Sequence, residues 1–217
     1  MQHTLLFDVD GILFQNKHVH EYIKNRSVCF LRSNEKFRKK YPMSGSCDAA
    51  SFINKIGYKT FGHTALVIED TRECVQDYND YVFDKKSIEF IKNNVRHEDR
   101  VHLDKIRLLM NDCEHLHIGL CTNTPLRYCE AVLYPEESNE FKDQLLNNAF
   151  TSDDGLIKPK KQFYDHVERN VDTRIHFLDD SPVNVKAVSN RKRWYPVLID
   201  KKQDMYHYLG VLGSSTR

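Results

Sequence analysis

The chain carries almost no net charge, with 32 lysines and arginines against 31 aspartates and glutamates in 217 residues, a formal +1. That balance excludes the electrostatic footprint of a protein that wraps a polyanion or lies on an acidic membrane, so neither a nucleic-acid polymer nor a membrane is expected as a partner. A small basic pocket for phosphate stays open. Long apolar runs are also missing, since none approaches the roughly 18 residues of a membrane-spanning helix. The opening MQHTLLFDVD has neither a basic leader region nor a small-residue cleavage site, so the chain is expected to be soluble and cytoplasmic. Internal repeats are absent. The cysteines Cys29, Cys47, Cys74, Cys113, Cys121 and Cys129 form no C-x-x-C pair, which favours reduced structural thiols over zinc or a disulfide framework. Histidines are plentiful, yet His18 with His20 sits in a polar stretch without a third ligand, and His115 with His117 leads into an apolar strand.

The length suits one large domain, or a core with a smaller insertion. Four short apolar runs, HTLLFDVD, LHIGLCTN, TRIHFLDD and YPVLID, are separated by helix-like stretches. The first three are apolar until they end in polar residues, the pattern of strands covered on both faces, and the connections predict right-handed crossovers into a parallel sheet. Helices are predicted over 97–112, over PLRYCEAVLY, over KKQFYDHVERN and over SPVNVKAVSN, the last with Ser181 as N-cap before Pro182. Residues 15–96 differ in being rich in Lys, Asn, Tyr and Asp without a convincing buried strand. They contain helix-like pieces, DAASFINKIG and DKKSIEFIKNN, each opened by an aspartate. The predicted fold is a Rossmann-like three-layer α/β/α core with a central parallel sheet, residues 1–14 and 97–217, plus a mostly helical cap insertion, 15–96. The insertion leaves just after the first strand and is expected to stand over its carboxyl end. The tail GVLGSSTR is expected to fray.

Ligands in open parallel sheets sit outside the carboxyl ends of the strands, and the polar strand endings converge there. The first ending holds two acids, Asp8 and Asp10, in positions i and i+2 of an extended segment, about 7 Å apart on one face. At an effective dielectric of about 20 their repulsion is about 2 kcal/mol. One carboxylate can attack phosphorus and a second can carry the proton to and from the reacting oxygens, and a divalent cation would offset the repulsion. A single aspartate there would be read as a turn or cap residue. FLDDSPVNV adds Asp179 and Asp180; alone they are as well explained as a helix cap, but four carboxylates on one edge require a cation. GLCTNTP ends a strand with Thr122 and Asn123, a hydroxyl and backbone N–H groups suited to a phosphoryl oxygen, although Thr-Asn also makes ordinary turns. Lys158 lies in the Gly- and Pro-flanked DDGLIKPKKQF, where a cation would balance a nucleophile. Composition does not choose it over Lys160 or Lys161.

In this order the pieces LLFDVDG, CTN, IKPKKQF and FLDDSPVN resemble the four motifs of the haloacid dehalogenase superfamily of phosphohydrolases. The resemblance covers the core, while the insertion matches only in position. It implies Asp8 as nucleophile and Mg²⁺ ligand, and Asp10 as general acid/base whose backbone carbonyl also meets the metal. Thr122 and Lys158 would bind phosphate with help from the Asn123 backbone, Asp179 would be the later Mg²⁺ ligand, and Asp180 would hold a metal-bound water. Asn184 would support the loop, Gly11 would release the chain from the strand, and GILFQ would be a mobile flap. Ile12 stands where a smaller residue is common, and Lys161 replaces a second proline. The implied activity is a Mg²⁺-dependent phosphatase acting on a small phosphorylated metabolite, a nucleotide monophosphate or sugar phosphate. A phosphomutase or phosphotransferase with the same site, or a non-catalytic binding module, is the alternative. Arg32, Lys36, Arg38, Tyr58, His63 and Arg72 are the insertion residues available to select the substrate.

Overall fold

The computed structural model describes residues 2–42, 50–52, 54–56, 60, 62–110, 116–133 and 140–215. Five parallel strands form the centre, β1 (His3–Phe7), β2 (Leu116–Cys121), β3 (Ala149–Phe150), β4 (Arg174–Asp179) and β5 (Trp194–Leu198), in the order β3-β2-β1-β4-β5. β1 is central because its run HTLLF is apolar on both faces, and Leu5, Leu6 and Phe7 are wholly buried. Its register pairs Leu6 with Gly119 on one side and with Phe177 on the other. The chain builds outward from β1 in one direction through β2 and β3, then returns and builds in the other through β4 and β5. The strand order therefore reverses between β1 and β4, which opens a crevice at their carboxyl ends, where ligands bind in sheets of this kind.

Helices cover both faces. On one side Leu6, Ile175 and Phe177 pack against Phe163, Tyr164 and Val167 of α8 (Lys161–Asn170) and Val188 of α9 (Pro182–Val188). The other side brings Leu5, Phe7 and Leu178 against α5 (Val101–Met110), α6 (Leu126–Leu133), α7 (Glu140–Asn147) and α10 (Lys202–Ser215). The result is the three-layer α/β/α arrangement expected. Two elements exceed the expectations. β3 is only two residues long and carries too little pattern to be recognised, and α10 continues to Ser215 because Met205 and Leu209 are buried and anchor the tail. Among the described residues no helix is long and apolar enough to cross a membrane.

The insertion contributes α1 (Lys17–Ser33), α2 (Glu35–Lys40), α3 (Arg72–Val82) and α4 (Lys85–Asn94). Each begins with a side-chain cap: Asn16 accepts from the Val19 N–H, Asn34 from Phe37, Thr71 from Cys74 and Asp84 from Ser87. Of the predicted helix DAASFINKIG, residues 50–52 and 54–56 are helical, and Asp48 lies outside the described residues, as do Tyr58, His115, Cys47 and Cys113. Val19, Leu31, Phe37, Val75 and Val82 from these helices join the same buried apolar cluster as Leu5 and Phe7 of β1. The two crossings between core and insertion are also tied together, since the Asn16 side-chain amide donates to the Asp99 carboxylate at 2.6 Å and to the Asn94 carbonyl at 3.2 Å.

Candidate active site

Asp8 follows the last residue of β1, and its N–H donates to the Leu178 carbonyl at 2.9 Å, so the ends of β1 and β4 are joined where the crevice opens. Asp179 ends β4, and Asp180 follows it. Carboxylate oxygens of Asp8, Asp179 and Asp180 lie within 4.8 Å of one another, the one such grouping among the described residues. Lys158 stands against two of them, its Nζ 2.6 Å from Asp179 Oδ2 and 3.0 Å from Asp8 Oδ2. The side chain is 1% exposed, which separates it from its neighbours: Lys160 and Lys161 are partly or largely exposed and pair with Asp70 and Asp165. An ammonium group is taken out of water at a cost of several kcal/mol, and here the two carboxylates repay it. Burial pulls the Lys158 pKa down, but Asp179 and Asp8 outweigh it and hold the group well above its usual value. Asp8 shows the reverse balance: burial, reinforced by the charges of Asp179 and Asp10, exceeds the pull of Lys158 and pushes its carboxyl up to about 8. Asp180 is raised by burial and by Asp179.

Asp179 is wholly buried and fully engaged. Its oxygens accept from the Asn184 side-chain amide at 3.0 and 3.2 Å, and from the Ser181 N–H at 2.7 Å. The Asn184 amide thus ties α9 to the end of β4, whereas the Ser181 hydroxyl makes no capping bond. Asn123 acts through its side chain. Its Oδ1 accepts from the Lys158 N–H at 2.6 Å, while its Nδ2 donates to the carbonyls of Lys158 at 3.0 Å and Gly62 at 3.2 Å. Gly62 (φ +73°) belongs to the insertion, and a Cβ on it would press on Pro159 and the Lys158 carbonyl, so the insertion's backbone lies directly on the lysine loop. Thr122 is buried at the end of β2, its hydroxyl 3.1 Å from that of Thr124.

Asp10 leaves the strand on a tight turn. Gly11 takes φ +85°, its N–H donates to the Phe14 carbonyl at 3.0 Å, and a Cβ on it would overlap the Asp180 carboxylate; only glycine meets both demands. Ile12, Leu13 and Phe14 are buried, so GILFQ is pinned by its own apolar residues. The Asp10 carboxylate is not part of the three-acid grouping. Its Oδ1 accepts from the Tyr128 hydroxyl at 2.6 Å and from His20 Nε2 at 3.0 Å. Burial pulls the His20 pKa down, but Asp10, with Asp180 and Asp99, reverses this and leaves it raised.

The sequence draws attention to His20 only as a metal ligand beside His18 and to Tyr128 not at all, and no local signal marks their shared contact: each meets Asp10 only through the fold. Of the insertion residues considered as substrate selectors, Arg32, Arg38 and Arg72 are exposed, Lys36 pairs with Glu69, and Tyr58 lies outside the described residues. Only His63 touches the site's framework. It is buried, its Nδ1 accepts from the Ala65 N–H at 3.2 Å, and the ring meets the backbone of Asn123. No family model matches the chain, and no curated protein matches its sequence.

Proposed function

We propose that the chain is a Mg²⁺-dependent phosphohydrolase of the haloacid dehalogenase kind, which removes phosphate from a small phosphomonoester through an aspartyl-phosphate on Asp8. The observation that supports this most is the convergence of the Asp8, Asp179 and Asp180 carboxylates on the crevice between β1 and β4, with buried Lys158 against two of them. These hard oxygen donors suit Mg²⁺, and the local charge balance suits it too: burial alone pushes Asp8 towards its neutral form, which cannot attack phosphorus. A bound Mg²⁺ would hold Asp8 ionised and neutralise phosphate charge. Asp8, Asp179 and Asp180 would hold it.

The chain's own groups then divide the work. An ionised Asp8 oxygen forms a bond to phosphorus as the ester P–O bond breaks, and the departing alkoxide takes its proton from Asp10. Water next attacks the acyl phosphate and gives its proton to Asp10, which releases phosphate and restores both carboxyl groups. Lys158 places positive charge beside the nucleophile, where the transferred group gathers negative charge. Thr122, at the neighbouring strand end, supplies a hydroxyl on the same edge. His20 and Gly62 approach the site from the insertion on two sides, which favours a small ester such as a nucleotide monophosphate or sugar phosphate over a polymer. The free cysteines among the described residues, Cys29, Cys74, Cys121 and Cys129, accord with a reducing, cytoplasmic setting.

A panel of phosphate esters assayed with Mg²⁺ and with EDTA tests the reading. Mg²⁺-dependent phosphate release that Asp8→Asn reduces by about a thousandfold or more is expected. Release that persists in EDTA, or in Asp8→Asn, overturns it.

A further inference from the structure

We propose that His20 is a positioning residue for Asp10, so that the insertion, by docking, presents the proton-carrying carboxyl to the reacting oxygen. The inference rests on the phosphohydrolase reading for its consequence and on hydrogen-bond geometry for its premise. Two donors converge on one oxygen of Asp10, Tyr128 from the core helix α6 at 2.6 Å and His20 from the insertion helix α1 at 3.0 Å. Both bonds fall on Oδ1. They fix the rotation of the carboxyl plane, and among the described residues they leave Oδ2 as the oxygen without a protein partner.

Each donor is itself held. Phe14, on the turn that follows Asp10, packs edge-on against both rings, with centroids 5.7 Å from His20 and 6.5 Å from Tyr128. The first turn of α1 is fastened at its cap, where Asn16 accepts from the Val19 N–H at 3.0 Å and its amide grips Asp99 and Asn94 from the returning crossing. His20 therefore sits where both crossings meet, and it reaches Asp10 only while α1 is docked. A stabilising role is a weak alternative, because both side chains are partly exposed, 40% for His20 and 34% for Asp10, and pairs of that kind contribute little to stability. Accurate placement of a proton carrier is worth far more to a reaction, since misplacement by about 1 Å can cost about a hundredfold.

Three measurements test this. In the metal-free protein, a nitrogen–proton correlation spectrum of the histidine side chains reads the bond directly: the His20 Nε2 resonance shifts in Asp10→Asn while those of His3 and His176 stay. In the Mg²⁺-loaded protein, His20→Ala lowers kcat about ten- to a hundredfold on an alkyl phosphate with KM little changed. On p-nitrophenyl phosphate, whose leaving group needs little proton assistance, the first turnover, read as the p-nitrophenolate burst ahead of the water step that Asp10 also serves, slows within about threefold. His20→Gln, which keeps a donor, recovers part of the loss. An equal loss in the first turnover of both esters would make His20 a structural residue, and an effect on KM alone a substrate-binding one; either result overturns the proposal. An unmoved His20 resonance in an active enzyme overturns it as well. A shifted resonance in a protein without Mg²⁺-dependent turnover would instead remove the phosphohydrolase reading and, with it, this consequence.

Discussion

Asn123 grips Lys158 by both of its backbone groups, accepting from the N–H at 2.6 Å and donating to the carbonyl at 3.0 Å. One side chain thus sets the path of the loop that aims the buried ammonium at Asp8 and Asp179, and the same amide reaches the Gly62 carbonyl in the insertion at 3.2 Å. Asn123→Ala leaves a largely enclosed N–H and two carbonyls without their partner. A loss of about 2 kcal/mol in unfolding free energy is expected, measured by urea titration, together with weaker substrate binding in the phosphatase assay.

Lys158→Met removes the cation between two buried acids. At neutral pH the uncompensated charge is expected to cost about 3–5 kcal/mol. The penalty depends on pH in a definite direction. The Asp8 carboxyl already rises from 3.8 to about 8 in the folded protein, so the folded state binds a proton that the unfolded state lacks between those values, and this contribution to stability falls as pH rises through the window. Without Lys158, which pulls it down, the Asp8 carboxyl rises further. Unfolding measured at pH 5 and at pH 8 should show a smaller destabilisation by Lys158→Met at pH 5; a pH-independent difference would contradict the charge balance described.

His63 makes the protein sensitive to acid. Burial lowers its pKa from 6.5 to about 4 against a smaller opposing effect from the Asn123 backbone, and burial lowers His176 from 6.5 to about 4 as well. Both rings are therefore neutral in the folded state, whereas the unfolded chain protonates them below 6.5. Stability conferred this way is complete above pH 6.5 and is lost as pH falls towards 4, by about 3 kcal/mol for His63. His63→Asn keeps an acceptor for the Ala65 N–H without a titrating group. Denaturant unfolding midpoints recorded between pH 7 and pH 4.5 should fall less steeply in this variant.

What could be read in advance follows from how local each feature is. β1, β2 and β4 announce themselves because a strand buried on both faces must be apolar along its length, and the acids Asp8, Asp179 and Asp180 stand out because they interrupt such runs. The Asp84 cap is equally local, since its bond to the Ser87 N–H spans three residues. Lys158 is intermediate: sequence offered it beside Lys160 and Lys161, and only burial distinguishes the three. His20 and Tyr128 lie at the far end of this scale. Their common partner is an oxygen of Asp10, 10 and 118 residues away in the chain, so nothing near either residue records the contact. The sequence points to Asn123 for its backbone N–H, whereas its side chain holds Lys158 and the insertion, a role that depends on Gly62 arriving from 61 positions away.

The apolar cluster shared by β1 and helices α1 to α3 bears on how this molecule breathes. A lid joined by a bare hinge swings aside at little cost, but here lifting the insertion would part Phe83 from Tyr128 of α6, break the hydrogen bonds from Asn79 to Ser152 and release the Asn16 clasp. Motion on that scale is a sub-global unfolding event, and slow amide exchange in α1 and α3 should track that of β1. On the phosphohydrolase reading, an ester would then have to reach Asp8 with the insertion in place, so the space between insertion and core at the ends of β1 and β4 would limit its size.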